Sequence, residues 1–148
     1  MRVAFDLKVA FPSISKYIPE PTSIHAKNGL RYERKVVKAL SKAYLLSHNP
    51  WYFFEDMNGP GHIVPDAIIE YQDQLIIIEI KLTYTAEAIF KLRNLYCPVI
   101  SYATNKETLP LVITKNLTSA SPNPAFNVSS ALINPEPLLH WLGKGNLD

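Results

Sequence analysis

The chain has a single cysteine, Cys97, and only five glycines in 148 residues. One thiol excludes an internal disulfide and every cysteine-based zinc arrangement. Flanked by Tyr96 and Pro98, Cys97 reads as a packed small side chain rather than a nucleophile. Such cysteine usage fits a reducing compartment, and the expected location is the cytoplasm. Long hydrophobic runs are also missing. The longest aliphatic block, Leu75 to Ile78, is interrupted by Glu79, far short of the roughly 18 apolar residues of a membrane span. The opening MRVAFDLKVAF carries Asp6 and Lys8 inside its apolar stretch, which is wrong for a secretory signal, so no membrane partner is expected. Neither charge sign dominates. Fifteen basic against thirteen acidic residues leave +2, so a nucleic-acid surface would have to be local. What is present is a globular balance: 47% hydrophobic, 19% charged, with two Trp, eight Tyr and six Phe. That excludes general disorder, and the length supports one domain with a sizeable core.

The alternation of Val3, Phe5, Leu7 and Val9 with polar residues predicts an opening strand over 2–9. Residues 10–27 hold Pro12, Pro19 and Pro21 and read as an arm or loop. A proline-free stretch with helical spacing runs from about Asn28 to Ser47. WYFFEDM (51–57) has strand composition, and the GPG at 59–61 reads as a break. VPDAIIEY (64–71) and LIIIEIKL (75–82) are strands joined by the polar turn Gln72-Asp73-Gln74. Residues 86–96 read as helix, 98–104 and 109–115 as strands, and 118–130 as loop. Asn134 before Pro135 then suggests a short final helix through Leu142, ended by Gly143. The order predicts an α/β single domain with a mixed central β-sheet flanked by helices. Its core would span about 28–115, with a C-terminal segment 116–148.

Several acidic residues fall where a core should be. At about 100° per residue, Leu30, Glu33, Val37, Leu40 and Tyr44 lie within an arc of roughly 80°. A carboxylate on a buried face needs a partner, a metal or a proton. At the stripe's edge near the helix N-terminus it would simply be solvated. Asp66, Ile68 and Glu70 share one face of the first hairpin strand; Leu75, Ile77, Glu79 and Lys81 share one face of the second. Because Ile76, Ile78, Ile80 and Leu82 fill the other face, the second strand reads as central, with Glu79 and Lys81 at its far end. A solvated strand end is the alternative. If Glu33, Asp66 and Glu79 converge, their oxygens suit a hard cation such as Mg²⁺ or Mn²⁺, and a neighbouring ammonium suits a water or phosphate oxygen.

Pro65-Asp66 followed by Glu79-Ile80-Lys81 at the end of the next strand resembles the signature of the PD-(D/E)xK, or restriction-endonuclease-like, nuclease superfamily. Glu33, within Gly29-Leu30-Arg31-Tyr32-Glu33, resembles the extra helical glutamate of many members. The resemblance implies metal binding by Asp66 and Glu79, aided by the backbone carbonyl of Ile80 and by Glu33, with Lys81 positioning or activating the attacking water. It further implies Mg²⁺-dependent (or Mn²⁺-dependent) hydrolysis of nucleic acid, DNA more often than RNA. Recombination-type members carry a glutamine and a tyrosine on the following helix. Here Lys91 to Tyr96 offers the tyrosine and no glutamine, so an exonuclease of that type fits less well than a small DNA endonuclease.

Nucleic-acid contacts could come from His62, Tyr84, Lys91 and Arg93. The stripe Arg31, Lys35, Lys38 and Lys42 lies roughly 150–160° around the helix from the apolar stripe that holds Glu33 and reads as a solvated face. A homodimer would let two sites address two strands. The competing readings are a non-catalytic nucleic-acid-binding module on the same scaffold, an exonuclease or RNA-cutting member, and an α/β interaction domain whose charges are ordinary strand ends.

Overall fold

A computed structural model describes residues 2–13, 22–83, 85–116 and 140–142. In chain order the elements are β1 (Val9–Ser13), α1 (Ile24–Ser41), β2 (Leu45–His48), β3 (Trp51–Asp56), β4 (Gly59–Ile63), β5 (Ala67–Tyr71), β6 (Gln74–Thr83), α2 (Ala86–Lys91), a π-helical turn Leu92–Tyr96, α3 (Cys97–Thr104), β7 (Glu107–Asn116) and β8 (His140–Leu142). The strands form two sheets. One has the order β2-β5-β6-β7-β8, the other β1-β3-β4. In the larger sheet β5 runs antiparallel to β2 and β6, whereas β7 runs parallel to β6 and β8. It is therefore a mixed sheet in an α/β domain, as expected, although the second sheet was not anticipated.

The ten-residue β6 organises the molecule, because apolar residues cover both of its faces. Ile76, Ile78 and Ile80 join Ala67, Ile69, Leu111 and Ile113 under Tyr32, Val36 and Leu40 of α1. On the other face Leu75, Ile77, Ile68 and Val112 pack against Ile89, Leu92, Leu95, Val99 and Ile100, with Tyr52, Phe54 and Ile63 of the smaller sheet. The link from β6 to β7 passes through the helices, as parallel pairing requires.

Several sequence expectations are corrected. The opening strand is Val9–Ser13, not 2–9, because Asp6 adopts a left-handed φ of 50° that breaks the alternation. Part of the supposed arm is thus strand. Helix α1 begins at Ile24, since Ser23 Oγ accepts the Ala26 N–H at 3.0 Å and caps it. It ends at Ser41, and Leu45–His48 leave as strand β2 to pair with β5. The GPG segment lies inside β4. A Cβ at Gly61 would stand 2.7 Å from the Arg2 guanidinium and 2.9 Å from the Phe54 ring, so glycine there lets Arg2 lie over Phe54.

Residues 98–104 are helix, not strand. Pro98 has no N–H for the Asn94 carbonyl, and the Ala4 N–H fills that acceptor from outside at 2.9 Å. The helix therefore runs on to Asn105, whose φ of 54° and N–H to the Ser101 carbonyl end it. Of the expected final helix, 140–142 form strand β8, and the remainder lies outside the described residues, as does the loop 118–130. No helix among the described residues is long and apolar enough to cross a membrane. Cys97 is buried, and burial pushes its thiol pKa up to about 12, so it is packing and not a nucleophile.

Candidate active site at the end of the central hairpin

Pro65 is buried and Asp66 follows it at the entrance to β5. The Asp66 carbonyl accepts the Asn49 N–H at 3.0 Å, which ties the end of β2 to the hairpin. Its side-chain Oδ2 accepts the Ile80 N–H at 2.7 Å, a short bond that fixes Asp66 against β6. Glu33 comes from α1. The buried stripe of that helix is Tyr32, Val36 and Leu40, rotated from the expected set, and Glu33 flanks it with 13% of its side chain exposed. There it hydrogen-bonds to the Asp66 carboxyl. Two carboxyl groups can share a hydrogen bond only if one keeps a proton. Burial first, then that hydrogen bond and the charge of Glu33, raise the Asp66 pKa to about 7; the Ile80 N–H and Lys81 oppose the rise.

Glu79, on β6, is buried, with 3% of its side chain exposed. Burial, followed by the charge of Asp66, raises its pKa, and Lys91 and Lys81 act against both. Lys91 Nζ sits 2.9 Å from Glu79 Oε2, and Lys81 Nζ lies 3.9 Å from the same oxygen. For Lys91, burial alone would lower the pKa, but the Glu79 carboxylate leaves it raised. Its ammonium also lies 5.0 Å from the centroid of the Tyr96 ring. Lys81 keeps 43% of its side chain exposed, open to a ligand at the mouth of the group.

Glu33, Asp66, Glu79 and Lys81 are thus brought together as four neighbours at one strand end. Lys91, expected as a contact to the nucleic-acid backbone, enters this group as the partner of Glu79. Ile80 contributes its N–H to Asp66. Other expected residues stand elsewhere. His62 projects from β4 and stacks on Trp51 at 5.0 Å, with no contact to the carboxylates among the described residues. Arg93 lines an open groove with Ala86, Ile89, Phe90 and Asn94. Tyr84 lies outside the described residues. The basic stripe of Arg31, Lys35, Lys38 and Lys42 is exposed, as a solvated face should be.

The residue that sequence reasoning missed is His48. Its Nε2 lies 3.1 Å from Glu33 Oε2 and 3.2 Å from Asn49 Nδ2. Burial lowers its pKa and Arg34 adds to that, while Asp66 opposes, so the neutral imidazole is favoured. The available signal was β2 itself: its pairing sets His48 opposite Ala67, one residue from Asp66. Read as the tail of a helix, that segment gave His48 no place.

The donor set is all oxygen, which fits a hard divalent cation. As the side chains stand, no three His, Cys, Asp or Glu among the described residues are grouped to hold an ion. The oxygens that would do so already face other partners: Asp66 faces the Glu33 carboxyl and the Ile80 N–H, and Glu79 faces Lys91. An ion at Glu79 would take the place of that ammonium.

No family model matches the sequence, and no curated protein matches it. Among solved structures, the chain is similar to the crystal structure of the small subunit of the heterodimeric restriction endonuclease R.BspD6I. The TM-score is 0.34 at 21% identity, covering 63% of this chain and 53% of that one. The match thus extends over about half of that subunit, and a likeness this distant says nothing about the site.

Proposed function

We propose that the chain is a divalent-ion-dependent nuclease that hydrolyses phosphodiester bonds, most simply a small DNA endonuclease. The observation that carries this reading is the convergence of Glu33, Asp66, Glu79 and Lys81 at one hairpin end, with the Asp66 carboxyl raised to about 7 by burial and Glu33. Crowded carboxylates are costly without a cation, and carboxyls perturbed in this way cluster at functional sites. Asp66, Glu79, Glu33 and the Ile80 carbonyl are the groups that would hold Mg²⁺ or Mn²⁺. When bound, the ion would supply charge neutralisation at the phosphate and a more acidic water. Lys81, half exposed beside Glu79, orients the attacking water or a non-bridging phosphate oxygen. His48 orients Glu33 through its imidazole.

A second reading has an observation of its own. Lys91 already balances Glu79, which would suit a non-catalytic nucleic-acid-binding module. Incubation with labelled linear, branched and single-stranded DNA and with RNA, in Mg²⁺, Mn²⁺ or EDTA, separates the two. Cutting that requires the ion supports the nuclease and reports its substrate, end or internal. Binding without cutting in either ion supports the module.

A further inference from the structure

Lys91 reaches Glu79 from an irregular piece of backbone. In an α-helix, residues five apart stand about 140° apart around the axis. In the π turn the Cys97 N–H instead reaches back five residues to the Leu92 carbonyl. This widening brings Lys91 and Tyr96 to one side, with the ammonium 5.0 Å from the ring centroid. Such π turns recur at functional sites. The result is an ammonium with its side chain 27% exposed, held between an aromatic ring and a buried carboxylate at 2.9 Å. Lys81 approaches the same Glu79 oxygen only to 3.9 Å. Glu79 therefore has its charge balanced from within, and Oε2 can serve another cation only if Lys91 lets go.

Resting on the nuclease reading above, we infer that Lys91 is a positioning residue that exchanges partners. It holds Glu79 while no nucleic acid is bound, and moves its ammonium to an incoming backbone phosphate, releasing the carboxylate to the divalent ion. No bond forms or breaks; one flexible point charge changes its anion. Ion binding and nucleic-acid binding then reinforce each other through this one side chain. By linkage, the coupling is the same whichever ligand is added first.

The test is Ca²⁺ binding measured by calorimetry in alkaline buffer, with and without a short DNA duplex, a gel confirming that the duplex stays intact. In the wild type the duplex tightens Ca²⁺ binding by about fivefold or more. In Lys91→Met the free protein binds Ca²⁺ about fivefold tighter than the wild type does, and the duplex adds less than about twofold. Lys91→Arg keeps the charge and keeps the coupling, which a role confined to packing would not explain. Should Lys91→Met fail to fold by circular dichroism, Lys91→Gln is read in the same way. Unchanged Ca²⁺ affinity in the free Lys91→Met protein, or wild-type coupling in it, overturns the exchange. A wild type that cuts DNA with Mg²⁺ alongside that result leaves the nuclease reading standing. A wild type that binds neither Ca²⁺ nor duplex overturns both.

Discussion

Replacing Asp66 by Asn should stabilise the ion-free protein at alkaline pH while weakening divalent-ion binding. An acid whose pKa is raised on folding holds its proton longer in the native state than in the unfolded one. Its contribution is fully present below the unfolded pKa and is lost as pH climbs through the folded value. For Asp66 that window runs from 3.8 to about 7. Each unit corresponds to about 1.4 kcal/mol, so the whole window amounts to roughly 4 kcal/mol. Asparagine keeps an acceptor for the Ile80 N–H and does not titrate. The advantage of Asp66→Asn over the wild type should therefore be roughly 1–2 kcal/mol near pH 5 and about 4 kcal/mol near pH 8, growing by roughly 2–3 kcal/mol. Urea unfolding in EDTA at the two pH values measures it. Added Mg²⁺ should recover stability at pH 8 for the wild type and much less for the variant. An advantage that does not change with pH, or an Asn variant less stable at pH 8, would refute the idea that Asp66 is a crowded, proton-retaining carboxyl.

Three further outcomes are expected. His48→Ala leaves Glu33 without its 3.1 Å partner and should weaken divalent-ion binding by about tenfold in calorimetry, with little change in melting temperature. Ile77→Ala empties a fully buried position in the centre of β6 and should cost about 3–4 kcal/mol in urea unfolding; a loss below about 1 kcal/mol would mean the strand is not central. Burial raises the Asp56 pKa, but the Phe5 and Asn58 N–H groups and the Arg2 guanidinium more than offset this and leave it lowered. Its stabilisation is present above the ordinary carboxylate pKa and fades as pH falls through the folded value. Arg2→Ala should accordingly melt lower than the wild type at neutral pH, and the gap should narrow in acid.

The hairpin that carries Asp66 and Glu79 was legible because its pattern depends on local residues alone. Ile76, Ile78 and Ile80 demand burial on one side, Leu75 and Ile77 on the other, and Gln72 and Asp73 adopt left-handed φ angles of 50° and 65° in the turn between the strands. The convergence of Glu33 with that hairpin was legible in outline, since a carboxylate near an apolar stripe must find a partner. What could not be read depends on distant partners. Pro98 looks like a helix breaker until the Ala4 N–H is seen on the Asn94 carbonyl. No Gly or Pro separates α1 from β2, so the chain change at Lys42 to Tyr44 carries no local signal, and His48 was lost with it. The place of Lys91 depends on one extra residue in a helical turn, which composition does not announce.

The most direct test of the central claim is a plasmid-nicking time course with the wild type and Lys81→Ala. Lys81 is half exposed, so its removal should leave stability within about 0.5 kcal/mol. Wild type should convert supercoiled to open-circular or linear DNA with Mg²⁺, and stop when EDTA is added. Lys81→Ala should be slower by about a hundredfold or more. Equal rates for the two proteins, or cutting that continues in EDTA, would contradict hydrolysis at this hairpin end.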